Sequence, residues 1–185
     1  MSGFAGNFFN ADGGIYRVPY SGGYSASPGL WLGGFHTPNG ISFSPDGKTL
    51  WVAETCMNRI VSVSVTNGAA STIFTSIQLV YQGQGIAGPD SNRVDAAGNL
   101  YQAFYPGGRA VVFNKQGIPF ANIVVENRST GDALYTARLA LKPGTDEGYL
   151  LSAGKRGIRI YQFQAPANAG YVQFGLSLRG SGTTS

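Results

Sequence analysis

The sequence predicts an all-β protein assembled from repeated, short-stranded antiparallel sheets, and three observations carry that prediction. Glycine accounts for 28 of the 185 residues and proline for 9, while aromatic residues make up 12% and charged residues only 12%. Such a composition favours strands and turns over long helices. Short runs of apolar or alternating residues are bounded by Gly, Pro, Asn and Asp, as strands are. The same pattern returns about fifty residues later, the interval expected of propeller blades.

A partial unit comes first, in which Gly13-Gly14-Ile15-Tyr16-Arg17-Val18 matches only the third strand of the units that follow. The first full unit starts at Pro38-Asn39-Gly40-Ile41-Ser42-Phe43 and turns through Pro45-Asp46-Gly47. It returns as Thr49-Leu50-Trp51-Val52-Ala53 and continues to Arg59-Ile60-Val61-Ser62-Val63. A second unit runs Pro89-Asp90-Ser91-Asn92-Arg93-Val94, turns at Ala97-Gly98, and continues as Leu100-Tyr101-Gln102-Ala103 and Arg109-Ala110-Val111-Val112-Phe113. The third is Ala137-Arg138-Leu139-Ala140-Leu141, the turn Pro143-Gly144-Thr145-Asp146, Tyr149-Leu150-Leu151-Ser152 and Arg159-Ile160-Tyr161-Gln162-Phe163. Gly47 and Gly98 sit where a hairpin turn demands positive φ, and Asp46 and Asp95 are assigned structural places on that hairpin side.

Sheets this small bury their faces only against neighbouring sheets. The expected fold is therefore a β-propeller arc of about three and a half four-stranded blades. One blade ends within residues 1–35, further blades occupy 36–83, 84–127 and 128–175, and 176–185 form a flexible tail. A two-sheet sandwich is the other architecture open to these strands. An arc leaves a blade face uncovered. The chain is thus expected to be part of a larger ring, completed by self-association or by a missing N-terminal half.

Thirteen basic residues stand against nine acidic ones, a formal charge of +4, and they are scattered rather than gathered into a stripe. No nucleic-acid partner is expected. No apolar run approaches the roughly 18 residues of a membrane span, so no membrane partner is expected either. The single cysteine, Cys56, can form no intramolecular disulfide and reads as a half-buried structural thiol. Glu54 is expected to pair with Arg59 or to cap a blade end. Met1-Ser2-Gly3-Phe4-Ala5-Gly6-Asn7 lacks the basic and apolar regions of a signal peptide, which favours a cytoplasmic location.

The stretch from Pro38 to Val52 resembles the fourth blade of the senescence marker protein/gluconolactonase family of six-bladed propellers. Gly88-Pro89-Asp90-Ser91 with Val94-Asp95-Ala96-Ala97-Gly98-Asn99-Leu100-Tyr101 resembles its fifth. Ala53-Glu54-Thr55 with Asn58-Arg59, then Gly107-Gly108-Arg109 and Val112-Phe113-Asn114-Lys115-Gln116-Gly117, are most similar to the bacterial drug-responsive lactonase branch. The likeness runs over roughly residues 9–163 and suits the C-terminal part of such a ring.

The resemblance implies a metal-dependent lactone hydrolase with a divalent cation in the axial channel, calcium first and magnesium, manganese or zinc as alternatives. It implies that Asn39 gives a side-chain oxygen, Asp90 a carboxylate oxygen and acid/base service to water, and Ser91 a supporting oxygen. Residue types alone leave a second reading open, since Pro-Asn-Gly is a common turn tripeptide and Asp90-Ser91 suits an Asx turn. His36 precedes an inner strand and is assigned with Phe104 and Tyr105 to contact a small-molecule lactone at the channel mouth. The family's further ligands, a glutamate from the first blade and an asparagine from the third, have no counterpart after Met1. Weak metal binding and poor hydrolysis are therefore expected of the chain alone. The alternative function is a non-catalytic propeller segment serving binding or assembly.

Overall fold

The structure, a computed structural model, describes residues 10–18, 27–75 and 87–167. Among these residues thirteen strands form four antiparallel sheets arranged in chain order. The first pairs β1 (Gly13–Arg17) with β2 (Gly29–Phe35). The second is β3 (Pro38–Phe43), β4 (Thr49–Glu54), β5 (Arg59–Ser64) and β6 (Ala70–Thr75), each strand bonded to the next. The third repeats that meander as β7 (Gly88–Val94), β8 (Leu100–Tyr105), β9 (Arg109–Phe113) and β10 (Pro119–Val124). The fourth contains β11 (Tyr135–Leu141), β12 (Glu147–Gly154) and β13 (Gly157–Gln164). This is a β-propeller arc.

Apolar packing lies in the seams between successive sheets. Ile15 and Phe35 meet Leu50, Val52, Val61 and Val63 in the first seam. Trp51 and Ile60 meet Val94, Leu100, Phe104, Val111 and Phe113 in the second. Tyr101, Ala103, Ala110 and Val112 meet Leu139, Leu141 and Leu150 in the third. Successive strand residues point to opposite faces, so Leu50 and Val52 enter one seam while Trp51 enters the next. The middle strands therefore read as almost continuous apolar runs, because both their faces are covered. A sandwich would leave one face of each sheet to water, and the two central sheets do not.

The hairpin turns use the residues that suit them. Gly47 and Gly98 have φ of 68° and 87°. Asp46 accepts bonds from Ser44 Oγ at 2.6 Å and Lys48 N at 3.0 Å. Asp95 gathers Ala97 N, Asn99 N, Asn99 Nδ2 and the Tyr101 hydroxyl, all at 2.8–2.9 Å. Glu54, fully buried, pairs with Arg59 and accepts the His36 backbone N–H at 2.7 Å. Half-buried Cys56 lies 3.0 Å from the Thr37 hydroxyl. No helix among the described residues is long and apolar enough to cross a membrane. The tail expected over 176–185 lies outside the described residues.

Candidate functional site at the inner-strand bulges

The first strand of each of the three later sheets carries one extra residue near its start. Pro38 pairs with Glu54 and Ile41 with Val52, so Asn39 and Gly40 face the single residue Ala53. Pro89 pairs with Phe104 and Asn92 with Gln102, so Asp90 and Ser91 face Ala103. Thr136 pairs with Ser152 and Arg138 with Leu151, which leaves Ala137 unmatched. A bulge bends its strand and re-aims a side chain that strict alternation would send into a seam. Asn39 and Asp90 occupy such re-aimed positions.

Two features lock the first bulge against the second. Gly40 has no room for a side chain, since a Cβ there would lie 2.4 Å from Asp90 O, 2.7 Å from Asn92 N and 2.7 Å from Ser91 Cα. Polar bonds then span the seam. Ser42 Oγ donates to Asn92 Oδ1 at 2.6 Å, Asn92 Nδ2 donates to Gly40 O at 3.1 Å, and Thr55 Oγ1 donates to Pro89 O at 2.7 Å. Beneath them Gln102, fully buried, accepts from Asn92 Nδ2 and donates from Nε2 to Asp90 O, Ser91 O and Ala103 O at 2.9–3.2 Å. Bulged carbonyls lose their ladder partners, and this carboxamide replaces them. Gln102→Leu is expected to cost about 1–3 kcal/mol through buried unsatisfied carbonyls, read as a lower urea midpoint at unchanged slope.

The resulting geometry sets a carboxylate beside a carboxamide. Asn39 hydrogen-bonds the Asp90 carboxyl, and its Nδ2 also donates to Thr55 Oγ1 at 3.3 Å. Burial is the largest influence on Asp90 and lifts its pKa above the ordinary value; Asn39, the Arg138 guanidinium and the Ser91 backbone N–H pull it down. Burial, then Tyr135 and last Asp90 raise the pKa of the Tyr105 phenol. The Tyr105 and Tyr135 rings lie tilted with centroids 5.3 Å apart. Asn39, Asp90, Tyr105 and Arg138 thus share one neighbourhood, drawn from three successive sheets.

A carboxyl with a raised folded-state pKa contributes stability that is complete below the unfolded pKa and is lost as pH rises through the folded one. Ionised Asp90 therefore destabilises the metal-free protein. Asp90→Asn is expected to be more stable than the parent at pH 7 in chelator, with the advantage shrinking toward zero below about pH 4. Urea unfolding at the two pH values measures this, and a parent at least as stable as the variant at pH 7 would contradict it.

The other residues singled out by sequence fall elsewhere. Ser91 is nearly buried and donates from Oγ to Ala137 O at 2.6 Å, a bridge to the next sheet. Phe104 is completely buried in the second seam with the Arg109 guanidinium 5.6 Å above its ring. It therefore presents no surface to a substrate, and its expected place at the entrance is corrected: its β8 position faces the core. His36 is half-buried just before β3, with Nδ1 buried and lacking a hydrogen-bond partner. Tyr135, Arg138, Thr55 and Gln102 were not singled out as site residues, although Arg138 and Gln102 stand at recognisable repeat positions. Gln102 had a usable signal, a carboxamide where the preceding repeat has Val52 in a buried strand.

The donors fit a hard, oxygen-seeking cation in kind: a half-buried carboxylate that burial leaves under-compensated, beside an amide. They fall short in number, since calcium takes 6–8 oxygens. Among the described residues no three His, Cys, Asp or Glu side chains come together.

Small antiparallel sheets packed face to face in chain order define a β-propeller. Residues 4–132 match the SMP-30/Gluconolactonase/LRE-like region, and the chain belongs to that family. Proteins named lactonase drp35 from Staphylococcus epidermidis and Staphylococcus aureus are 33% and 32% identical, over 84% of this chain and 57% of their own lengths. The chain thus spans little more than half the length of these relatives. Among solved structures, regucalcin from Agrobacterium tumefaciens, titled a calcium-binding protein, superposes with a TM-score of 0.65 at 20% identity. That match covers 89% of this chain and 58% of regucalcin. A gluconolactonase from Xanthomonas campestris superposes with a TM-score of 0.59 at 21% identity, covering 80% and 43%. At such identities these two likenesses establish the fold alone.

Proposed function

We propose that this chain carries the Asn39–Asp90 portion of a divalent-metal-dependent lactone hydrolase. The observation that supports this best is the pairing of a half-buried carboxyl with a carboxamide at apposed bulges of neighbouring blades. Family membership supports the lactone as substrate class. A divalent cation, calcium first, supplies Lewis-acid polarisation of the lactone carbonyl when bound. Asn39 and Asp90 are the residues that would hold it among those described. Asp90 accepts a proton from the attacking water at its carboxylate, and burial moves its pKa toward the working pH that a general base needs. Asn39 fixes the orientation of that carboxylate. The Tyr105–Tyr135 pair forms an aromatic wall beside it.

Hydrolysis of a simple γ-lactone by the full chain tests this reading. The expected result is slow turnover that calcium stimulates and chelator abolishes. Turnover indifferent to chelator would reject the metal-dependent mechanism.

A second reading, a binding or assembly segment, draws on a different observation. Ile158 and Ile160 on β13, in the last sheet, are 71% and 69% exposed. Such an uncovered sheet face accepts a further blade, from a second copy or from the rest of a ring. Sedimentation is expected to show association at micromolar concentration, and a strictly monomeric species would oppose this.

A further inference from the structure

Asn39 is the exposed member of the Asn39–Asp90 pair, and it sits on a bulge. The oxygen and nitrogen ends of its carboxamide have nearly the same shape, so the groups around it decide which end a ligand meets. Thr55, buried just beyond β4, is one of those groups. A threonine hydroxyl has one proton, and Thr55 Oγ1 spends it on Pro89 O at 2.7 Å. Toward Asn39 the same oxygen can only accept, and it takes Nδ2 at 3.3 Å. An ionised carboxylate also only accepts, so the bond between Asn39 and Asp90 draws on Nδ2 as well. The nitrogen end is thus turned to protein, and Oδ1 is the end left to meet a cation.

We propose that Thr55 is a positioning residue of the cation site, its acceptor-only hydroxyl presenting the oxygen end of Asn39 to the metal. The proposal rests on the metal-dependent reading above and concerns the control of one of its ligands. The backbone makes Thr55 a firm reference point. Its N–H donates to Thr37 O at 3.2 Å, and its carbonyl accepts from Asn58 N at 3.1 Å. Gly88 packs so closely that a Cβ there would lie 2.1 Å from Thr55 O. Branching at Cβ stiffens χ1 and holds the hydroxyl in place. Pro89 immediately precedes Asp90, so one oxygen of Thr55 ties the Asn39 bulge to the Asp90 bulge of the next sheet. A hydroxyl free to rotate would also donate to Oδ1 and allow Nδ2, with its two positive hydrogens, to face the cation. The bond to Pro89 O removes that option.

Calcium titration of the full chain, followed by NMR at about pH 8 where carboxylates are ionised, compares the parent with Thr55→Ala and Thr55→Ser. Each is also made in an Asn39→Asp background, where both ends of the side chain are oxygen and Thr55 has no orientation left to set. Thr55→Ala is expected to weaken calcium binding about fivefold, the worth of one hydrogen bond, and Thr55→Ser by less than about twofold. In the Asn39→Asp background the loss from Thr55→Ala is expected to stay below about twofold. Equal losses in the two backgrounds would reduce Thr55 to a clamp on Pro89 and overturn the proposal, as would unchanged affinity in Thr55→Ala. Thr55→Val, which keeps the bulk of the side chain, gives the same comparison if Thr55→Ala unfolds. A parent that binds no calcium would overturn this proposal and the metal-dependent reading together. Calcium binding with its Thr55 dependence intact, but without lactone hydrolysis, would strike the lactonase reading alone.

Discussion

Asp90→Asn is expected to lower lactone hydrolysis by about 10²–10⁴-fold, the range associated with losing a general base. The substitution keeps the shape of the side chain and its contact with Asn39, while removing both the proton acceptor and the charge that attracts a cation. Glu54, the fully buried acid of the neighbouring sheet, is committed to Arg59 and the His36 backbone. The same variant is expected to be the more stable protein at neutral pH, so a loss of activity cannot be ascribed to unfolding. Turnover within about threefold of the parent would remove Asp90 from the chemistry.

Gly40→Ala is expected to have the largest effect on stability, about 3 kcal/mol, at the upper end of overpacking costs. The added Cβ meets the backbone of Asp90, Ser91 and Asn92 at 2.4–2.7 Å, and backbone cannot rotate aside as a side chain can. The seam must open or the bulge must shift. Either movement pulls Asn92 Nδ2 from Gly40 O and separates Asn39 from Asp90, so calcium affinity and hydrolysis fall together with the urea midpoint. A variant within about 0.5 kcal/mol of the parent would mean that the two inner strands do not hold each other in register.

The fold was legible in the sequence because its signals are local and repeated. Asp46-Gly47 and Ala97-Gly98 marked turns, and the apolar runs at Leu50–Ala53 and Leu100–Ala103 marked strands covered on both faces. The roles expected of Asn39 and Asp90 came from the family resemblance, since residue types alone also suited turns. Their apposition depends on bulges, however, and a bulge breaks the period of two that makes strand faces readable. Ser91 illustrates the loss: next to Asp90 in the chain, it spends its hydroxyl on Ala137. Phe104 failed for the opposite reason, since an aromatic near a strand end reads the same at a rim or in a core, and the seam covered it. Tyr135 and Arg138 were hard to find because they enter from the next sheet, about fifty residues away in the chain.

In the function proposed, Asn39 and Asp90, from neighbouring blades, serve one cation. A double-mutant cycle on calcium affinity tests it most directly, with the parent chain, Asn39→Ala, Asp90→Asn and the double variant titrated in parallel. Weak binding by the parent is expected, with Kd on the order of 10⁻⁴–10⁻³ M. Each single change should abolish most of that affinity, and the second change should add little to the first. Independent, additive losses would contradict the shared site, as would calcium binding that neither substitution disturbs.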